Sequence, residues 1–293
     1  MVDRSTLRRI LYTGLEEAVR FGARVVGYQS RPDATVTVRL ADGRTAEADV
    51  LVGADGINSA VRAQRLPDHR TVDLEARHIA AKIPLTEETR SRIPPQLYSA
   101  FTLVNGPHHD VVSFAPLERS NPRTPLVRER DPAFRAEVGR DFALGIFSAK
   151  ASRMPGDTEL YASAPADLKR YALQRVATWH PDLITLVRLW DVDTVQPLTL
   201  RSHVPALPWE PAHVTVVGDA VHAMSPALGL GANTALRDAQ VLGAELVAAA
   251  AGVKPLLSAI ADYERAMRAY GYDAVRASAS AGERLIGHRS LPE

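Results

Sequence analysis

Cysteine is absent from this chain of 293 residues. Its absence excludes disulfide scaffolds, thiolate zinc sites, iron–sulfur clusters and cysteine nucleophiles. Lysine is scarce as well, since 31 of the 35 basic residues are arginines. Either oxyanion binding or a bias in coding composition would produce that imbalance.

The sequence also lacks an excess of one charge and any long apolar run. Its 35 basic and 34 acidic residues give a formal net charge of +1, so charge indicates neither a nucleic-acid partner nor an anionic membrane. No run of about 18 apolar residues occurs, and the first five residues do not begin a secretion signal. We therefore expect a cytoplasmic protein without a membrane span, whose oligomeric state the sequence does not indicate.

Several common catalytic motifs are missing too. The chain contains no Gly-x-Ser-x-Gly elbow, no Walker loop and no His-Glu-x-x-His helix. The pair His108-His109 has no carboxylate at a metal-like spacing, so we expect no metal site.

Length and pattern predict two domains, because domains commonly contain about 150 residues. Apolar spacing predicts a first helix over 4–21, strands over 24–29, 35–40 and 50–52, and a hairpin turn at Asp42-Gly43. Further strands are predicted over 77–83, 98–104, 110–115, 141–148 and 213–217, and further helices over 165–179, 181–190, 232–251 and 254–278. This order indicates one domain built from both ends of the chain and interrupted by a mostly antiparallel second domain.

A glycine-rich loop between a buried strand and a long helix is the strongest functional signal. The strand at 213–217 ends in Gly218-Asp219, which places a carboxylate at the strand end. Glycines let a ligand approach the backbone, and the first turn of a helix offers unpaired N–H groups to an electron-rich ligand. A carboxylate at a strand end suits ribose or ribityl hydroxyls. The alternative is a purely structural loop in which Asp219 caps a turn.

A second strand–turn–helix pattern lies about 160 residues earlier in the chain. The apolar run at 50–52 leads into Gly53-Ala54-Asp55-Gly56, with Ser59 as a candidate helix cap and Arg62 as a candidate partner of Asp55. Taken alone, this pattern is equally compatible with a plain structural turn.

Arg4 stands at the beginning of the first predicted helix. Helical spacing places it on the face that we expect to bury Leu7 and Leu11. A cation at a helix N-terminus opposes the macrodipole, so an anionic group should compensate it. The alternative is a solvated arginine at a frayed end.

Together these segments resemble FAD-dependent aromatic-ring monooxygenases of the para-hydroxybenzoate and salicylate hydroxylase type. The second flavin motif of that family is similar to Gly218-Asp219-Ala-x-His222-x-x-x-Pro226-x-x-Gly229-x-Gly231-x-Asn233-x-x-x-x-Asp238-Ala. Its Asp-Gly motif, between the flavin and nicotinamide sites, resembles residues 51–62, and the arginine that it places against FAD resembles Arg4.

The resemblance implies an α/β FAD-binding fold of the para-hydroxybenzoate hydroxylase type. The FAD-binding domain would comprise 1–65 and 203–293, with the C-terminal helices, and a mostly antiparallel substrate-binding domain would comprise 66–202. FAD would be the cofactor and NADH or NADPH the reductant. A flavin C4a-hydroperoxide would then hydroxylate a small aromatic or polyketide-like substrate.

The resemblance identifies no catalytic residue, but it implies a cofactor-binding set. Asp219 would hold ribityl or ribose hydroxyls, backbone N–H groups of 230–233 would face the flavin N1–C2=O edge, and Pro226 would border the ring. His222 would brace the loop by a hydrogen bond rather than act as a general base. The full set is Arg4, Asp55, Arg62, Gly218, Asp219, Pro226, Gly229, Leu230, Gly231, Ala232 and Asn233.

The family's first FAD motif, Gly-x-Gly-x-x-Gly, is not found in the sequence. We therefore expect the chain to begin inside the FAD-binding domain, without the first βαβ unit and its helix N-terminus for the pyrophosphate. Two alternatives follow: an inactive fragment (a truncated gene model or a non-catalytic remnant), or another oxidoreductase on the same fold. A halogenase of that fold would carry Trp-x-Trp-x-Ile-Pro, and neither Trp190 nor Trp209 lies in such a string.

Overall fold

The chain is a mixture of helices and strands, as predicted, in a computed structural model that describes residues 4–31, 35–99, 101–118 and 141–292. In chain order the helices of these ranges are α1 (Arg4–Tyr12), α2 (Ala60–Arg65), α3 (Glu87–Ser91), α4 (Asp157–Ala162), α5 (Pro165–Arg175), α6 (Pro181–Arg188), α7 (Asp219–His222), α8 (Gly231–Ala250) and α9 (Leu256–Ile286). The strands are β1 (Val25–Ser30), β2 (Val36–Leu40), β3 (Thr45–Ala48), β4 (Leu51–Gly53), β5 (Thr71–Pro84), β6 (Thr102–Asn105), β7 (Val111–Leu117), β8 (Phe142–Lys150), β9 (Gln196–His203) and β10 (Val214–Val216). Among these helices, none has both the length and the apolar character that crossing a membrane requires.

The described residues divide into two units. Unit 1 contains the described parts of Met1–Val19 and Glu75–Thr199, together with Leu285–Gly287. Unit 2 contains the described parts of Arg20–Leu74, Leu200–Arg284 and His288–Glu293.

Unit 1 contains most of a five-stranded sheet with the strand order β6-β7-β8-β5-β9, and the end of β9 at 200–203 belongs to unit 2. The pairs β6–β7, β7–β8 and β8–β5 are antiparallel, with Ala76 opposite Lys150 and Pro84 opposite Phe142. Ile79, Phe147 and Trp190 belong to its buried core, which helices α4–α6 complete.

Unit 2 contains a three-stranded antiparallel sheet, β1-β2-β3, and a parallel pair, β10-β4. The hairpin predicted at Asp42-Gly43 is confirmed, because Gly43 has a φ of +85° and β2 pairs with β3 around it. Tyr263 and Met267 of α9 are fully buried in the core, so this helix packs onto its unit through these side chains.

The first helix is shorter than the sequence predicts. It ends at Tyr12 instead of continuing to residue 21, because Gly14 takes the left-handed conformation with a φ of +83°. The Gly14 N–H donates to the Glu16 carboxylate, a local bond that competes with the helix. The expected burial of Leu11 is also wrong, since this side chain is 52% exposed.

Further boundaries also differ from the prediction. The strand expected over 77–83 already begins at Thr71, and the helix expected over 254–278 continues to Ile286. The strand expected over 98–104 is a 3-10 turn at Pro95–Ser99 followed by β6. The helix expected over 165–179 ends at Arg175.

Candidate cofactor site

The two motifs found in the sequence meet at one edge of the parallel pair in unit 2. Leu51 lies opposite Val214 and Gly53 opposite Val216, so β4 and β10 end side by side. The Val217 N–H extends the pairing by donating to the Gly53 carbonyl over 3.0 Å. The segments that carry Asp55 and Asp219 therefore both leave the carboxyl edge, where open α/β sheets bind their ligands.

Two glycines allow the strands and helices to approach this closely. A Cβ on Gly53 would lie 2.8 Å from Cβ of Val61 in α2, which only a glycine avoids. Gly218 has a φ of +61° and begins the turn into α7, and a Cβ there would lie 3.1 Å from Ala235 of α8. Both positions are required for packing, whatever binds at the edge.

The N-terminus of α8 has no side-chain cap. The first helical N–H that finds a carbonyl is that of Thr234, which donates to Leu230 over 2.9 Å. Helix geometry leaves the N–H groups of Gly231, Ala232 and Asn233 without intrahelical acceptors, and the macrodipole adds positive potential there. A long helix with this end is suited to an electron-rich ligand.

Asp219 faces that helix end. Its side chain is exposed, and its Oδ1 would lie 4.0 Å from a Cβ placed on Gly231. Donor N–H groups and an acceptor carboxylate therefore border the same space. Such a pair can hold a ligand that has both an electron-rich edge and hydroxyl groups.

Gly231 has no internal reason to be a glycine. Its φ is outside the left-handed region, and a Cβ would meet only ordinary contacts at 3.9 and 4.0 Å. Gly229 differs, because its φ of +63° favours glycine. The missing side chain at Gly231 leaves the backbone accessible to a ligand from outside.

A buried carboxylate holds the turn from Gly218 to His222 in place. Asp238 of α8 accepts hydrogen bonds at Oδ2 from the Gly218 N–H and from His222 Nε2, each at 2.6 Å. Its Oδ1 accepts a hydrogen bond from the Tyr270 hydroxyl, with 2.6 Å between the two oxygens. The expected bracing role of His222 agrees with this geometry, in which both His222 and Asp238 are fully buried.

Helix α9 completes this arrangement. Gly271 lets the His222 ring lie against it, because a Cβ there would be 2.9 Å from His222 Cδ2. Burial raises the pKa of Tyr270, and its hydrogen bond to Asp238 acts in the same direction. Tyr270 therefore stays a neutral donor to the carboxylate.

Asp55 caps helix α2. Its carboxylate accepts hydrogen bonds from the Ser59 hydroxyl and from the Ala60 N–H, the latter at 2.8 Å. The Ser59 oxygen in turn accepts the Arg62 N–H at 2.8 Å, which confirms Ser59 as the N-cap. The Arg62 guanidinium donates to the Ile57 carbonyl at 2.9 Å and lies 2.6 Å from His203 Nε2, so its hydrogen bonds differ from the Asp55 pairing considered above.

The remaining predicted residues are placed as follows. Pro226 is exposed at the start of a short 3-10 turn that Ser225 caps, and Gly229 ends that turn. Leu230 is half-buried, and Ala232 and Asn233 are exposed on the first turn of α8. Arg4 begins α1 in unit 1 and is exposed, so its assignment depends on the family resemblance alone.

The sequence-based predictions above do not include the hydrogen bonds of Asp238 and His203. Asp238 could have been found, because it lies four residues from Thr234 and four from Leu242 on the buried face of α8, where a charged residue needs partners. His203 gives no such signal, since its contact joins residues 141 positions apart.

A family model described as an FAD binding domain matches residues 173–278. The dual O-methyltransferase/FAD-dependent monooxygenase CTB3 of Cercospora beticola is 33% identical over 99% of this chain, which spans 35% of that protein. The 3-amino-4-hydroxybenzoate 2-monooxygenase PtnB3 of Streptomyces platensis is 31% identical over 85% of this chain, with 55% of its own length matched. The chain thus spans between about a third and about half of these curated relatives.

This chain also matches a solved structure, and it covers a larger share of that protein than of the curated relatives. The match is to the crystal structure of a protein from Photorhabdus luminescens designated an FAD-containing monooxygenase. The TM-score is 0.85 at 31% identity, and the match covers 98% of this chain and 74% of that one.

Proposed function

Because this chain belongs to the FAD-dependent monooxygenases of the aromatic-hydroxylase type, we propose that it binds FAD at the carboxyl edge of β4 and β10 and hydroxylates a small aromatic molecule. The observation that carries the proposal is the pairing of exposed Asp219 with the uncapped N-terminus of α8 across an accessible glycine backbone. NADH or NADPH is the proposed reductant.

The groups at this edge fit FAD. The Asp219 carboxylate would accept hydrogen bonds from ribityl or ribose hydroxyls. Backbone N–H groups of Leu230, Gly231, Ala232 and Asn233 would hold the electron-rich N1–C2=O edge of the flavin, as a preorganised set of donors. The absence of a side chain at Gly231 would let that edge approach the backbone.

When bound, FAD would supply the transfer of electrons from the nicotinamide to O₂ and the insertion of one oxygen atom into the ring. The residues of this chain would bind and orient. Pro226 would border the ring, Gly218 and Gly229 would shape the loop, and Asp55 and Arg62 would lie on the flavin–nicotinamide side. Arg4 is proposed to contact the cofactor because of the resemblance alone.

The substrate proposal rests on the relatives. One is named for 3-amino-4-hydroxybenzoate, an aromatic acid, so we propose an aromatic or polyketide-like ring for this protein as well. The five-stranded sheet, apart from the last residue of β9, lies in the segment 66–202 that we assign to substrate binding.

The test measures FAD affinity of the purified chain by quenching of flavin fluorescence, and then NADH and NADPH oxidation with candidate aromatic acids. Asp219→Asn should weaken FAD binding by about tenfold or more, because a charged acceptor of hydroxyl protons becomes neutral.

Asp273→Asn is the matched control. Asp273 is an exposed carboxylate of α9 that pairs only with Arg276 over 3.3 Å among the contacts described, so its loss should leave FAD affinity unchanged. Equal affinities of both variants and the parent chain would refute the proposed site. A chain that binds no FAD would refute the proposed function.

A further inference from the structure

His203 lies at the end of β9. Its backbone contacts the loop that follows β10, and its side chain contacts the motif that follows β4. Its backbone N–H donates to the carbonyl of Ala223, directly after α7, over 2.8 Å. The Ser202 hydroxyl donates to the same carbonyl over 3.1 Å. The strand end is therefore attached to the loop that carries Asp219 and Pro226.

The side chain of His203 reaches the other motif. Its Nε2 lies 2.6 Å from Nη1 of Arg62, and the same Nη1 donates to the Ile57 carbonyl over 2.9 Å. A guanidinium can only donate hydrogen bonds, so Nε2 must be the acceptor and the ring proton must be on Nδ1. His203 is fully buried, so this contact is shielded from water.

The surroundings keep His203 neutral. Burial lowers the pKa of His203 to about 4, and the neighbouring His69 and Arg62 act in the same direction. The His69 ring lies edge-to-face against it, with centroids 4.8 Å apart, and burial lowers the pKa of His69 to about 4 as well. Asp55 is the acidic group that interacts with Arg62.

A neutral imidazole affects the charge of Arg62 differently from a carboxylate. An ion pair would neutralise the guanidinium, whereas an imidazole fixes its position and leaves its positive charge in place. Arg62 is thus held in place and keeps its positive charge for an anionic group.

We propose that His203 is a positioning residue that connects the two motifs and presents the charged Arg62 to a phosphate of a dinucleotide cofactor. This inference rests on the proposed function. The phosphate could belong to FAD or to the nicotinamide cofactor, and separate binding measurements with FAD and NADPH distinguish them.

Three variants of the full chain test the proposal by dissociation constants rather than by turnover. His203→Gln keeps a neutral acceptor and should bind both cofactors within about threefold of the parent chain. His203→Glu keeps an acceptor but neutralises Arg62, and Arg62→Gln removes the charge. Both should weaken binding of the same cofactor by about tenfold or more.

His213 provides the matched control. It lies just before β10, at the end of that strand opposite the carboxyl edge, and its Nδ1 lies 2.9 Å from the Asp49 carbonyl. His213→Gln and His213→Glu make the same two changes in the same unit and should leave both dissociation constants unchanged.

A measurement on the unaltered chain avoids dependence on the folding of the variants. Nitrogen-15 spectra of the imidazoles should show His203 neutral at pH 7 with its proton on Nδ1, and His203→Gln assigns the signal by its disappearance. A protonated ring, or the other tautomer, would overturn the proposal.

Cofactor binding by His203→Glu as tight as by the parent chain would overturn it while leaving the proposed function intact. Failure of the unaltered chain to bind either cofactor would overturn both.

Discussion

At the scale of the residue, Gly231 differs from the glycines at 53 and 218, because the fold does not require a glycine at position 231. Gly218 and Gly53 are needed by the fold, through a positive φ and a close approach to α2. Gly231 has neither constraint, and a Cβ there would make only ordinary van der Waals contacts. The functional assignment of this position can therefore be tested without damage to the fold.

Gly231→Ala should weaken FAD binding by about tenfold or more while the unfolding free energy stays constant or rises by up to about 1 kcal/mol. The new methyl group has room in the protein but would obstruct a flavin edge at the backbone. Flavin fluorescence titration and urea unfolding measure the two effects. Gly243→Ala, on an exposed part of the same helix, should raise stability similarly and leave FAD affinity unchanged. A Gly231 variant that binds FAD like the parent chain contradicts the site.

Asp238→Asn should lower the unfolding free energy by about 2–4 kcal/mol, because buried donors on three elements lose a charged acceptor. Urea denaturation checks this value. Asp273→Asn, at an exposed position of α9, should change stability by less than about 0.5 kcal/mol. A similarly small effect at Asp238 would show that the carboxylate does not hold the turn.

At the scale of the element, the two helices at the carboxyl edge of β4 and β10 begin differently. Helix α2 is capped by Ser59 and by the Asp55 carboxylate, which together occupy its N-terminal N–H groups. Helix α8 is three times as long and has no side-chain cap. We interpret this difference as a division between a structural helix and a ligand-binding helix.

Ser59→Ala should lower the unfolding free energy by about 1 kcal/mol, because the N-cap bond to the Arg62 N–H is lost. Thr86→Ala removes the cap of the short helix α3 in unit 1 and serves as a comparison for an exposed cap. Thermal and urea unfolding provide the measurement. Unchanged stability of the Ser59 variant would mean that Asp55 alone caps α2.

Elements with a local cause were predictable from the sequence. The hairpin at Asp42-Gly43 follows from a glycine-containing turn between alternating strands, and α8 and α9 follow from long apolar periodicity. The end of α1 was missed because Gly14 and Glu16 form a local alternative to the helix, which periodicity does not detect. For the proposed site, the sequence indicates the loop glycines and Asp219 as candidates, whereas the contact of His203 with Arg62 depends on tertiary structure.

At the scale of the whole molecule, the buried histidines give stability a specific dependence on pH. Burial lowers the pKa values of His69 and His203 to about 4, below the unfolded value near 6.5. Between these values the unfolded chain binds more protons than the folded chain does. The unfolding free energy should therefore fall as pH decreases from about 6.5 to about 4, and their contribution should be constant above that range.

Unfolding of the parent chain and of His203→Gln at a series of pH values tests this dependence. The difference between the two curves should change by about 2–3 kcal/mol across the window. Taking the difference is necessary because burial raises the pKa of Glu264, which produces a pH dependence of opposite sign. A difference independent of pH would show that His203 titrates normally in the folded chain.

The Asp238 carboxylate also has a kinetic consequence. Its three hydrogen bonds come from Gly218, His222 and Tyr270, so the turn is ordered when α8 and α9 come together. The conformational entropy of this turn is lost during folding and not when a ligand arrives. Association at this edge should consequently proceed in one step whose rate is proportional to ligand concentration, without a plateau set by ordering of the turn.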